Sequence, residues 1–396
     1  MANVSSSNGL EKRPKLRFLG FDEPWSIYKA EELFENVTDK NHPTETVLTI
    51  IQGKGTLPRE QAGRNIHYDD ASLANYKKVE QGDFIIHLRS FEGGLEMANE
   101  DGIVSPAYTI LRCKKPHSSL FYEAYFHTDE FINHILSKSV EGIRDGRQIS
   151  YEAFKWLGLP YCDVSEQERI AQLFCTLSHR IEKQQQMVDA LKKYKRGLLN
   201  QIFSAISKGS QRRKLRELVH VSGGKTPSMS NLLYWNGDIV WISSKDMKSN
   251  RISDSELKIT NLALNEMTLY HPGTLLLVAR SGILKHSLPL AILEVDATIN
   301  QDIKALQVHG CNAFYLYYAI LSQEDNIIRT LVKTGTTVQS LMMDSFLNIE
   351  IPTPDIDRQQ STIDKLAKLE KYVDVQEKEL SLLSQMRNGL LQQLFI

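Results

Sequence analysis

The sequence contains few cysteines, no long apolar run and almost no net charge. Its cysteines form no Cys-x-x-Cys pair and show no metal-ligand spacing; they are Cys113, Cys162, Cys175 and Cys311. No stretch approaches the roughly 18 consecutive apolar residues that a membrane span needs. Residues 1–15 are polar and lack the apolar core of a signal peptide, so we expect residues 1–16 to form a flexible tail. These absences predict a cytoplasmic protein with reduced thiols.

The near-zero net charge argues against a protein that binds nucleic acid over its whole surface. The chain carries 47 Lys and Arg against 48 Asp and Glu, a balance of −1. Residues 1–160 hold 19 basic against 23 acidic residues (−4), whereas residues 165–208 hold 8 against 4 (+4). If DNA is the partner, local patches of positive charge must attract it.

One octamer occurs twice. RGLLNQIF at Arg196–Phe203 returns as NGLLQQLF at Asn388–Phe395, an offset of 192 (388 − 196). The same offset aligns earlier residues from Phe154 onward without a gap, including Pro160 with Pro352 and Gln167 with Gln359. A chance match of one short motif would not extend this far, so the repeat indicates an internal duplication.

Both copies carry the alternating four- and three-residue steps of a coiled-coil seam. In the first copy the seam positions are Ile170, Phe174, Leu177, Ile181, Gln184, Val188, Leu191, Lys195, Leu198 and Ile202. In the second copy they are Thr362, Leu366, Leu369, Val373, Gln376, Leu380, Leu383, Arg387, Leu390 and Leu394. Gln and a long cation therefore interrupt both seams at the same places.

Each helix follows a break that contains proline, with Asp163 or Ser165 and Asp355 or Asp357 as candidate N-caps. Two amphipathic helices of matched length, far apart in sequence, favour one antiparallel coiled coil. In that arrangement Gln184 and Gln376 face each other near its middle. The alternative is that each helix packs only on its own domain.

The segments before the two helices also repeat, but less completely. GDFIIHLRS (Gly82–Ser90) aligns with GTLLLVARS (Gly273–Ser281), and FYEAYF (Phe121–Phe126) aligns with FYLYYA (Phe314–Ala319). The stretches between these anchors diverge almost completely. One scaffold with two sets of loops indicates two related sites of different specificity; drift after duplication is the alternative.

These repeats predict an α+β protein. Two similar globular α/β domains are separated by two long helices, which form an antiparallel coiled coil with approximate two-fold symmetry. The predicted divisions are a tail over 1–16, a first globular domain over 17–162, a central helix over 163–208, a second globular domain over 212–354 and a C-terminal helix over 355–396.

The second domain contains GGKTPS followed by YWNGDIVWISSKDM, within Gly223–Met247. GGKT is the end of a phosphate-loop pattern, but Val219 stands where that pattern requires glycine and Pro227 follows the threonine, so we exclude a nucleotide loop. Trp235 and Trp241 could stack on bases, although core packing is the favoured interpretation.

This stretch closely resembles the start of a target recognition domain in the specificity subunits of type I restriction–modification systems. SFEGGLEMANEDGIVSPAYTIL (Ser90–Leu111) resembles another variety of that domain, and KLRFLGF (Lys15–Phe21) loosely matches the family's opening motif. The paired helices are similar to the family's central and C-terminal conserved regions.

The resemblance implies a subunit without a catalytic centre or cofactor of its own. It implies a double-stranded bipartite DNA target, with one half read by each recognition domain. Its further partners would be two methyltransferase subunits, which carry S-adenosylmethionine, and restriction subunits, which use ATP and Mg²⁺. The helices would dock the methyltransferases and set the spacer. A seam from Ile170 to Ile202 would be roughly 48 Å long, enough to hold two modules about one DNA turn apart.

Side chains that suit base or phosphate contact lie in the divergent, turn-rich stretches. The candidates in the first domain are Lys54, Arg59, Arg64, Arg89, Arg144 and Arg147. The candidates in the second are Lys225, Ser244, Lys245, Lys248, Arg251, Arg280, Lys285, Lys333 and Thr336. Arg89 and Arg280 match between the domains, which favours a structural or phosphate-binding role over base reading.

The sequence also bears on two other classes of protein. The sequence has no Asn-Pro-Pro-aromatic methylation motif, no phosphate loop and no HExxH motif, which argues against an enzyme acting on DNA. The near-neutral charge fits a coiled-coil adaptor that binds proteins only. The basic cluster from Lys192 to Arg196 suits a phosphate, a solvated helix face or an acidic partner equally well.

Overall fold

The computed structural model describes residues 3–4, 10–62, 70–142, 147–333 and 338–395. The chain divides into two compact units. Unit 1 comprises Met1–Gln185 and Lys378–Ile396, and unit 2 comprises Gln186–Glu377. Three predicted DNA-binding residues, Arg64, Arg144 and Thr336, lie outside the described residues.

Most elements of unit 1 are short. Its strands are β1 (Asn3–Val4), β2 (Leu10–Lys12), β3 (Trp25–Lys29), β4 (Phe34–Val37), β5 (Leu48–Ile51), β6 (Gly55–Pro58), β7 (Lys77–Val79), β8 (Phe84–Ile86), β9 (Glu96–Met97), β10 (Gly102–Val104), β11 (Thr109–Cys113), β12 (Val140–Glu141), β13 (Gln148–Ile149) and β14 (Gly158–Tyr161). Its short helices are α1 (Ala30–Leu33), α2 (Ser90–Gly93), α3 (Ser119–Phe126) and α4 (Tyr151–Phe154).

The long helix α5 (Val164–Ser207) begins in unit 1 and ends in unit 2, and α10 (Ile356–Phe395) begins in unit 2 and ends in unit 1. The strands of unit 2 are β15 (Gln211–Lys214), β16 (Val219–Gly223), β17 (Trp235–Ile242), β18 (Arg251–Ile252), β19 (Leu257–Ile259), β20 (Leu275–Val278), β21 (Leu290–Leu293), β22 (Ala297–Ile299), β23 (Ile303–Val308), β24 (Val332–Lys333), β25 (Ser340–Leu341) and β26 (Glu350–Thr353). Its short helices are α6 (Asn261–Leu264), α7 (Ala313–Leu321), α8 (Glu324–Leu331) and α9 (Met343–Phe346).

Both units are built on one framework of strands and helices. The central sheet has the order β4-β11-β8-β9 in unit 1 and β16-β23-β20-β21-β18 in unit 2. In each unit an aromatic helix (α3 or α7) follows this sheet. A small hairpin, a short helix and a final strand then lead into a long helix. The final strand pairs antiparallel with a strand near the start of the unit, β14 with β3 and β26 with β15.

The sequence repeats coincide with this framework. The matched stretches that begin at Gly82 and Gly273 form the turns into β8 and β20. Both glycines adopt left-handed φ values of 93° and 88°, which side chains with a Cβ rarely tolerate. The strands that follow are wholly buried. The repeat therefore preserves a backbone requirement together with the apolar pattern.

Side-chain hydrogen bonds repeat as well. The buried Gln167 donates from Nε2 to the carbonyl of Cys162 and accepts from the N–H of Ser118, at 2.9 and 3.0 Å. Gln359 makes the equivalent bonds to Pro354 and Asn312, both at 2.9 Å. These glutamines tie the start of each long helix to the start of the aromatic helix of the same unit. That role explains their match in the sequence.

The stretches that diverge in sequence form different small sheets. Unit 1 inserts the β5–β6 hairpin and the antiparallel pair β7–β10. Unit 2 inserts the three-stranded sheet β19-β17-β22, in which β17 and β22 run parallel. In both units the insertion begins after the same framework strand. The framework is therefore the same in the two units, and the inserted sheets differ.

The two long helices pack antiparallel within each unit. In unit 1 the start of α5, through Ile170 and Phe174, shares a core with the end of α10, through Leu394 and Phe395. In unit 2 the end of α5, through Leu199 and Phe203, shares a core with the start of α10. The predicted seam residues are all buried or half-buried. Among the described residues, no helix combines the length and the apolar character that crossing a bilayer requires.

The structure also identifies the N-cap residues of the two long helices and locates the glutamines near the middle of the seam. Asp163 accepts from the N–H of Ser165 at 2.9 Å, and Asp355 accepts from the N–H of Arg358 at 2.8 Å, so these aspartates are the caps among the candidates. Gln184 and Gln376 each lie within two residues of a boundary between the units and are half-buried. Their mutual contact stays a prediction.

The structure differs from the predicted divisions at two places. Leu10–Lys12, inside the predicted flexible tail over residues 1–16, is strand β2 and pairs with the edge of β3. Backbone hydrogen bonds make this pairing, so a polar sequence does not reveal it. The helices are also divided between the two units, because each half buries its apolar face on a different globular core.

Candidate nucleic-acid interface

Lys54 lies at the tip of the β5–β6 hairpin in unit 1. The turn is held from behind by Glu96, whose buried carboxylate accepts from the N–H groups of Gly53 and Gly55 at 2.6 and 2.9 Å. Asn99 donates from Nδ2 to the carbonyl of Lys54 at 2.8 Å. The backbone of the turn is therefore fixed while the Lys54 side chain is exposed, an arrangement that suits contact with a phosphate or a base.

A histidine completes this support. His127 Nε2 lies 3.3 Å from Oε1 of Glu96. Burial by itself would lower the pKa of His127, but its hydrogen bond to Glu96 and the charge of Glu96 raise that pKa above its ordinary value. Burial opposes the charged form of Glu96, yet His127 and the two glycine N–H groups hold the pKa of Glu96 below its ordinary value. The pair favours an ionised carboxylate beneath the turn.

The hairpin contacts a second candidate segment. A Cβ added to Gly93 in α2 would lie 1.9 Å from Nε2 of Gln52, so α2 and the hairpin touch. On α2, the ring of Phe91 lies 4.2 Å from the guanidinium carbon of Arg147, and Glu92 lies 3.9 Å from the same guanidinium. The structure thus brings Lys54 and Arg147 onto neighbouring segments.

The other described candidates of unit 1 have different surroundings. Arg89 is exposed and directly precedes α2. Arg59 is half-buried at the end of β6, with its guanidinium carbon 6.0 Å from the ring of Tyr76. Its partial burial among aromatic residues makes Arg59 less accessible than Lys54 and Arg89.

In unit 2, Ser244, Lys245 and Lys248 lie in a turn after β17. Asp246 organises that turn, because its Oδ2 accepts from both the N–H and the hydroxyl of Ser243, at 2.8 and 2.7 Å. Although burial opposes ionisation, these hydrogen bonds and the N–H of Glu256 hold the pKa of Asp246 below its ordinary value. The exposed Lys245 and Lys248 therefore extend from a fixed backbone.

Trp235 and Trp241 are core residues that fix the loop before them. Their rings pack edge to face at 5.1 Å, and both are largely buried. Nε1 of Trp235 donates to the carbonyl of Ser228, and Nε1 of Trp241 donates to that of Lys225, each at 3.1 Å. The loop around Lys225 runs on without the helix that a phosphate loop requires. Lys225 is exposed and lies 3.5 Å from Glu266.

Backbone pairing brings Arg280 and Lys333 together. Ser340 on β25 pairs with Lys333 of β24 and forms a bridge with Arg280 after β20. The adjoining turn Gly282–Lys285 ends on the exposed Lys285. The equivalent contact in unit 1 joins α2 to β13, so Arg89 and Arg280 occupy corresponding places beside the small hairpins.

Arg251 is already engaged within unit 2. Its guanidinium contacts Glu294 at 2.9 Å and lies 4.9 Å from the ring of Phe314. The Glu294 hydrogen bond raises the pKa of Arg251. A residue with two partners in the same unit is a weaker candidate for DNA contact than Lys245.

Sequence reasoning identified the exposed cations but missed the carboxylates that position them. Glu96 carries no local motif, since its partners are His127 and two N–H groups of a distant turn. Asp246 bonds Ser243, three residues earlier in the polar run SSKD. A strand–turn–strand pattern with glycines on both sides of Lys54 was the available signal. Among the described residues, no group of three or more His, Cys, Asp or Glu side chains could hold a metal ion.

Comparison with known proteins agrees with this architecture. Residues 207–385 match the model of the type I restriction modification DNA specificity domain. The chain is 31% identical over 252 residues to the type I restriction enzyme EcoR124I/EcoR124II specificity subunit of Escherichia coli, a match over 61% of this chain and 62% of that protein. It is 29% identical over 190 residues to the MjaIX specificity subunit of Methanocaldococcus jannaschii, over 46% and 43% of the two chains.

Solved structures show the same fold over nearly the whole chain. The type I restriction–modification S subunit from M. genitalium superposes with a TM-score of 0.59 at 14% identity, covering 97% of this chain and 99% of that one. A chain from a study of complex assembly in the type I system gives a TM-score of 0.55 at 15% identity, covering 96% and 99%.

The chain therefore has the two-module, two-helix fold of a type I S subunit, and the predicted fold class is confirmed. Residues 207–385 match a type I DNA specificity domain, and the chain is similar to specificity subunits of type I restriction–modification systems. The aligned region spans about three fifths (62%) of the length of the Escherichia coli relative.

Proposed function

We propose that this protein gives a type I restriction–modification complex its DNA sequence specificity, with each unit reading one half of a bipartite target. One observation carries the proposal. The same framework occurs twice, and in each unit a different inserted sheet presents exposed cations on turns that buried or partly buried carboxylates hold. Fixed, outward-directed cations on unlike surfaces suit the reading of two unlike half-sites.

The long helices would set the spacer and bind two methyltransferase subunits. Large apolar side chains are exposed along both helices, which supports a role in docking; they are Met187, Tyr194, Tyr372, Val375, Leu382 and Met386. At the 192-residue offset Tyr194 corresponds to Met386, so one exposed apolar position occurs on both helices, which suits two copies of one partner.

The subunit itself would be non-catalytic and would hold no cofactor. S-adenosylmethionine for adenine methylation would be bound by the methyltransferase subunits, and ATP and Mg²⁺ for cleavage by the restriction subunits. The cysteines are free thiols in the structure, which supports the proposed cytoplasmic location beside the host DNA.

Methylome sequencing tests the assignment of half-sites. A host would express the protein with its methyltransferase subunits and, in turn, the variants Lys54→Ala, Lys245→Ala and Lys208→Ala. We expect Lys54→Ala to relax or weaken one half of the methylated motif and Lys245→Ala the other half. Lys208→Ala, an exposed change just after α5, serves as the control and should leave the motif unchanged. A motif that both loop variants leave intact would contradict the assignment.

The matched arginines are tested by salt dependence. If Arg89 and Arg280 bind phosphate, replacing either with alanine should weaken binding to all duplexes and reduce the slope of log K against log salt by about one. Arg89→Lys and Arg280→Lys keep the charge and should largely restore the slope. Relaxation at a single base position, with the slope unchanged, would assign base reading instead.

The spacer role is tested by changing helix length. Inserting one heptad at matched positions of α5 and α10 should lengthen the tolerated spacer without altering either half-site. A spacer that stays the same would rule out the helices as the ruler. A band-shift assay on random duplex DNA, with and without methyltransferase subunits, separates a DNA reader from a coiled-coil adaptor that binds only proteins.

A further inference from the structure

The two units differ at the edge of the sheet that precedes the long helices. In unit 1 the outer edge of β3 is covered by β2, in which Glu11 pairs with Ser26 and Lys12 pairs with Trp25. In unit 2 the equivalent strand is β15, since Gln211 lies opposite Thr353 as Ser26 lies opposite Tyr161. Among the described residues, β26 is the only strand that pairs with β15.

The side chains beside this edge also differ between the units, with a large one in unit 1 and a small one in unit 2. Trp25 of unit 1 is buried against Phe121 and Phe395, at ring distances of 5.6 and 6.1 Å. By register, Ser210 occupies the corresponding position in unit 2. Its hydroxyl is buried and, among the described residues, has no hydrogen-bond partner. A small side chain thus stands where unit 1 has a large one.

A cleft of about 420 Å³ lies next to β15 in unit 2. We call it the β15 cleft; its lining includes Phe203 of α5, Arg212 of β15, Asp325 and Arg329 of α8 and Glu350 of β26. Arg212 is paired with Glu350 at 3.2 Å, whereas Asp325 is exposed. The cleft therefore places the exposed carboxylate of Asp325 near β15, with the exposed guanidinium of Arg329 on the same helix.

The corresponding place in unit 1 is occupied by β2, which shows what kind of ligand such a strand edge can bind. There β2 is an extended segment, and its Lys12 ammonium lies 6.0 Å from the ring centroid of Tyr125 and interacts with the charge of Glu130. Tyr125 and Glu130 belong to the aromatic helix and the turn after it; in unit 2 the residues directly after the aromatic helix, Ser322 and Gln323, and then α8 line the cleft.

We propose that the β15 cleft binds an extended polypeptide segment of a partner protein, which adds a strand to β15 and directs a lysine or arginine towards Asp325. Strand addition supplies affinity through main-chain hydrogen bonds, and the pocket beside the edge selects the side chain. The site is separate from the DNA-reading turns, so this proposal stands whether or not the proposed function is correct.

A peptide with the sequence NGLEKRPK, which is that of residues 8–15, is a suitable probe because it contains the strand that covers β3. Added to the full chain, it should bind saturably and slow amide exchange at residues 210–214. Two further peptides carry N-methyl groups on alternate residues in the two possible phases. Successive N–H groups of a strand point to opposite sides, so one phase should abolish binding and the other should retain it.

Charge reversal in the cleft provides the matched test on the protein. Asp325→Lys should weaken peptide binding at least about fivefold, because an attraction becomes a repulsion. Glu256→Lys, an exposed change in the inserted sheet, should leave binding unchanged. The proposal is overturned if the peptide does not bind, if both N-methylated phases bind equally, or if protection appears at residues 25–29 instead. Weakening by Glu256→Lys equal to that by Asp325→Lys would also overturn it.

Discussion

Unit 1 and unit 2 share a framework but anchor it to the long helices with different polar groups. In unit 1, Glu166 of α5 accepts two hydrogen bonds from Arg17, at 2.9 and 2.7 Å, and one from Trp25 at 2.9 Å. In unit 2, Glu370 of α10 accepts from Tyr318 and Asn250, each at 2.9 Å, and is paired with Lys195. Both carboxylates are buried.

Aligning the two long helices by their repeat shows that the two anchoring carboxylates stand at different positions. At an offset of 192, Glu166 corresponds to Arg358 and Glu370 corresponds to Ser178, so neither anchor has a counterpart in the other unit. The apolar framework and the glutamine bonds persisted through duplication, while each unit acquired its own buried charge. Apolar packing tolerates drift in detail, whereas a buried carboxylate needs every partner in place.

The largest effect is expected from proline in the helices. Leu191 and Leu383 are matched seam positions, in unit 2 and unit 1 respectively. Leu191→Pro and Leu383→Pro should each cost about 3 kcal/mol or more, because proline removes a helical hydrogen bond and clashes with the preceding turn. Hydrogen exchange should show the loss first in the unit that holds the substitution. Leu191→Ala and Leu383→Ala are the milder controls, and equal loosening of both units by either proline would contradict independent packing.

Removing the anchoring carboxylate of Glu166 or Glu370 should have the second-largest effect on stability. Glu166→Ala leaves Arg17 and the Trp25 N–H without their partner, and Glu370→Ala leaves Lys195 and Tyr318 without theirs. Each change should cost about 3 kcal/mol, the usual result of breaking a buried ion pair. Exchange at β3 should report the first variant and exchange at α7 the second. Glu166→Gln and Glu370→Gln retain an acceptor and should cost less. A variant that loosened only the opposite unit would disprove the assignment of anchors.

A smaller effect should separate two matched tyrosines. Tyr318 donates to Glu370, whereas the buried hydroxyl of its counterpart Tyr125 has no hydrogen-bond partner among the described residues. Tyr318→Phe should therefore destabilise unit 2 by about 1.5–3 kcal/mol, as for a hydrogen bond to a charged group. Tyr125→Phe should be neutral or slightly stabilising in unit 1. Urea titration followed by exchange at α3 and α7 measures both, and equal costs would remove this difference between the units.

The smallest effect concerns pH and the β5–β6 hairpin that carries Lys54, which belongs to the stretches in which the two units diverge. The pKa of His127 is raised above its ordinary 6.5 and that of Glu96 is lowered below its ordinary 4.5. The stabilisation from His127 is thus complete below pH 6.5 and is lost as the pH rises through its folded value. That from Glu96 is complete above pH 4.5 and is lost as the pH falls through its folded value.

The opening free energy of the hairpin, measured by exchange at Gly53 and Gly55, should therefore be higher at pH 5.5 than at pH 8. In Glu96→Gln that difference should disappear, because the carboxylate that raises the pKa of His127 is gone. The turn at Ser243–Asp246 in unit 2 should show no such change, since Asp246 stays ionised throughout this range. A pH dependence that persists in Glu96→Gln would assign it to another group.

Much of the fold could be predicted because it is periodic or repeated. The heptad steps around Ile170 and Leu366, the matched turns at Gly82 and Gly273, and the paired Gln167 and Gln359 are visible by aligning the chain with itself. The exposed positions of Lys54 and Lys245 also followed, since cations beside turn residues seldom lie inside a core.

The amino-acid sequence by itself determined that this is a duplicated chain with two amphipathic helices, because side-chain periodicity is a local property. Only the tertiary structure decided which polar groups meet. Glu96 reaches the glycines of a distant turn, Glu166 reaches Arg17, and Glu370 gathers Lys195 and Tyr318. It also decided that β2 covers β3, whereas β26 is the only strand within the described ranges that pairs with β15. Such contacts join residues far apart in sequence and depend on backbone direction and burial, which no local pattern encodes.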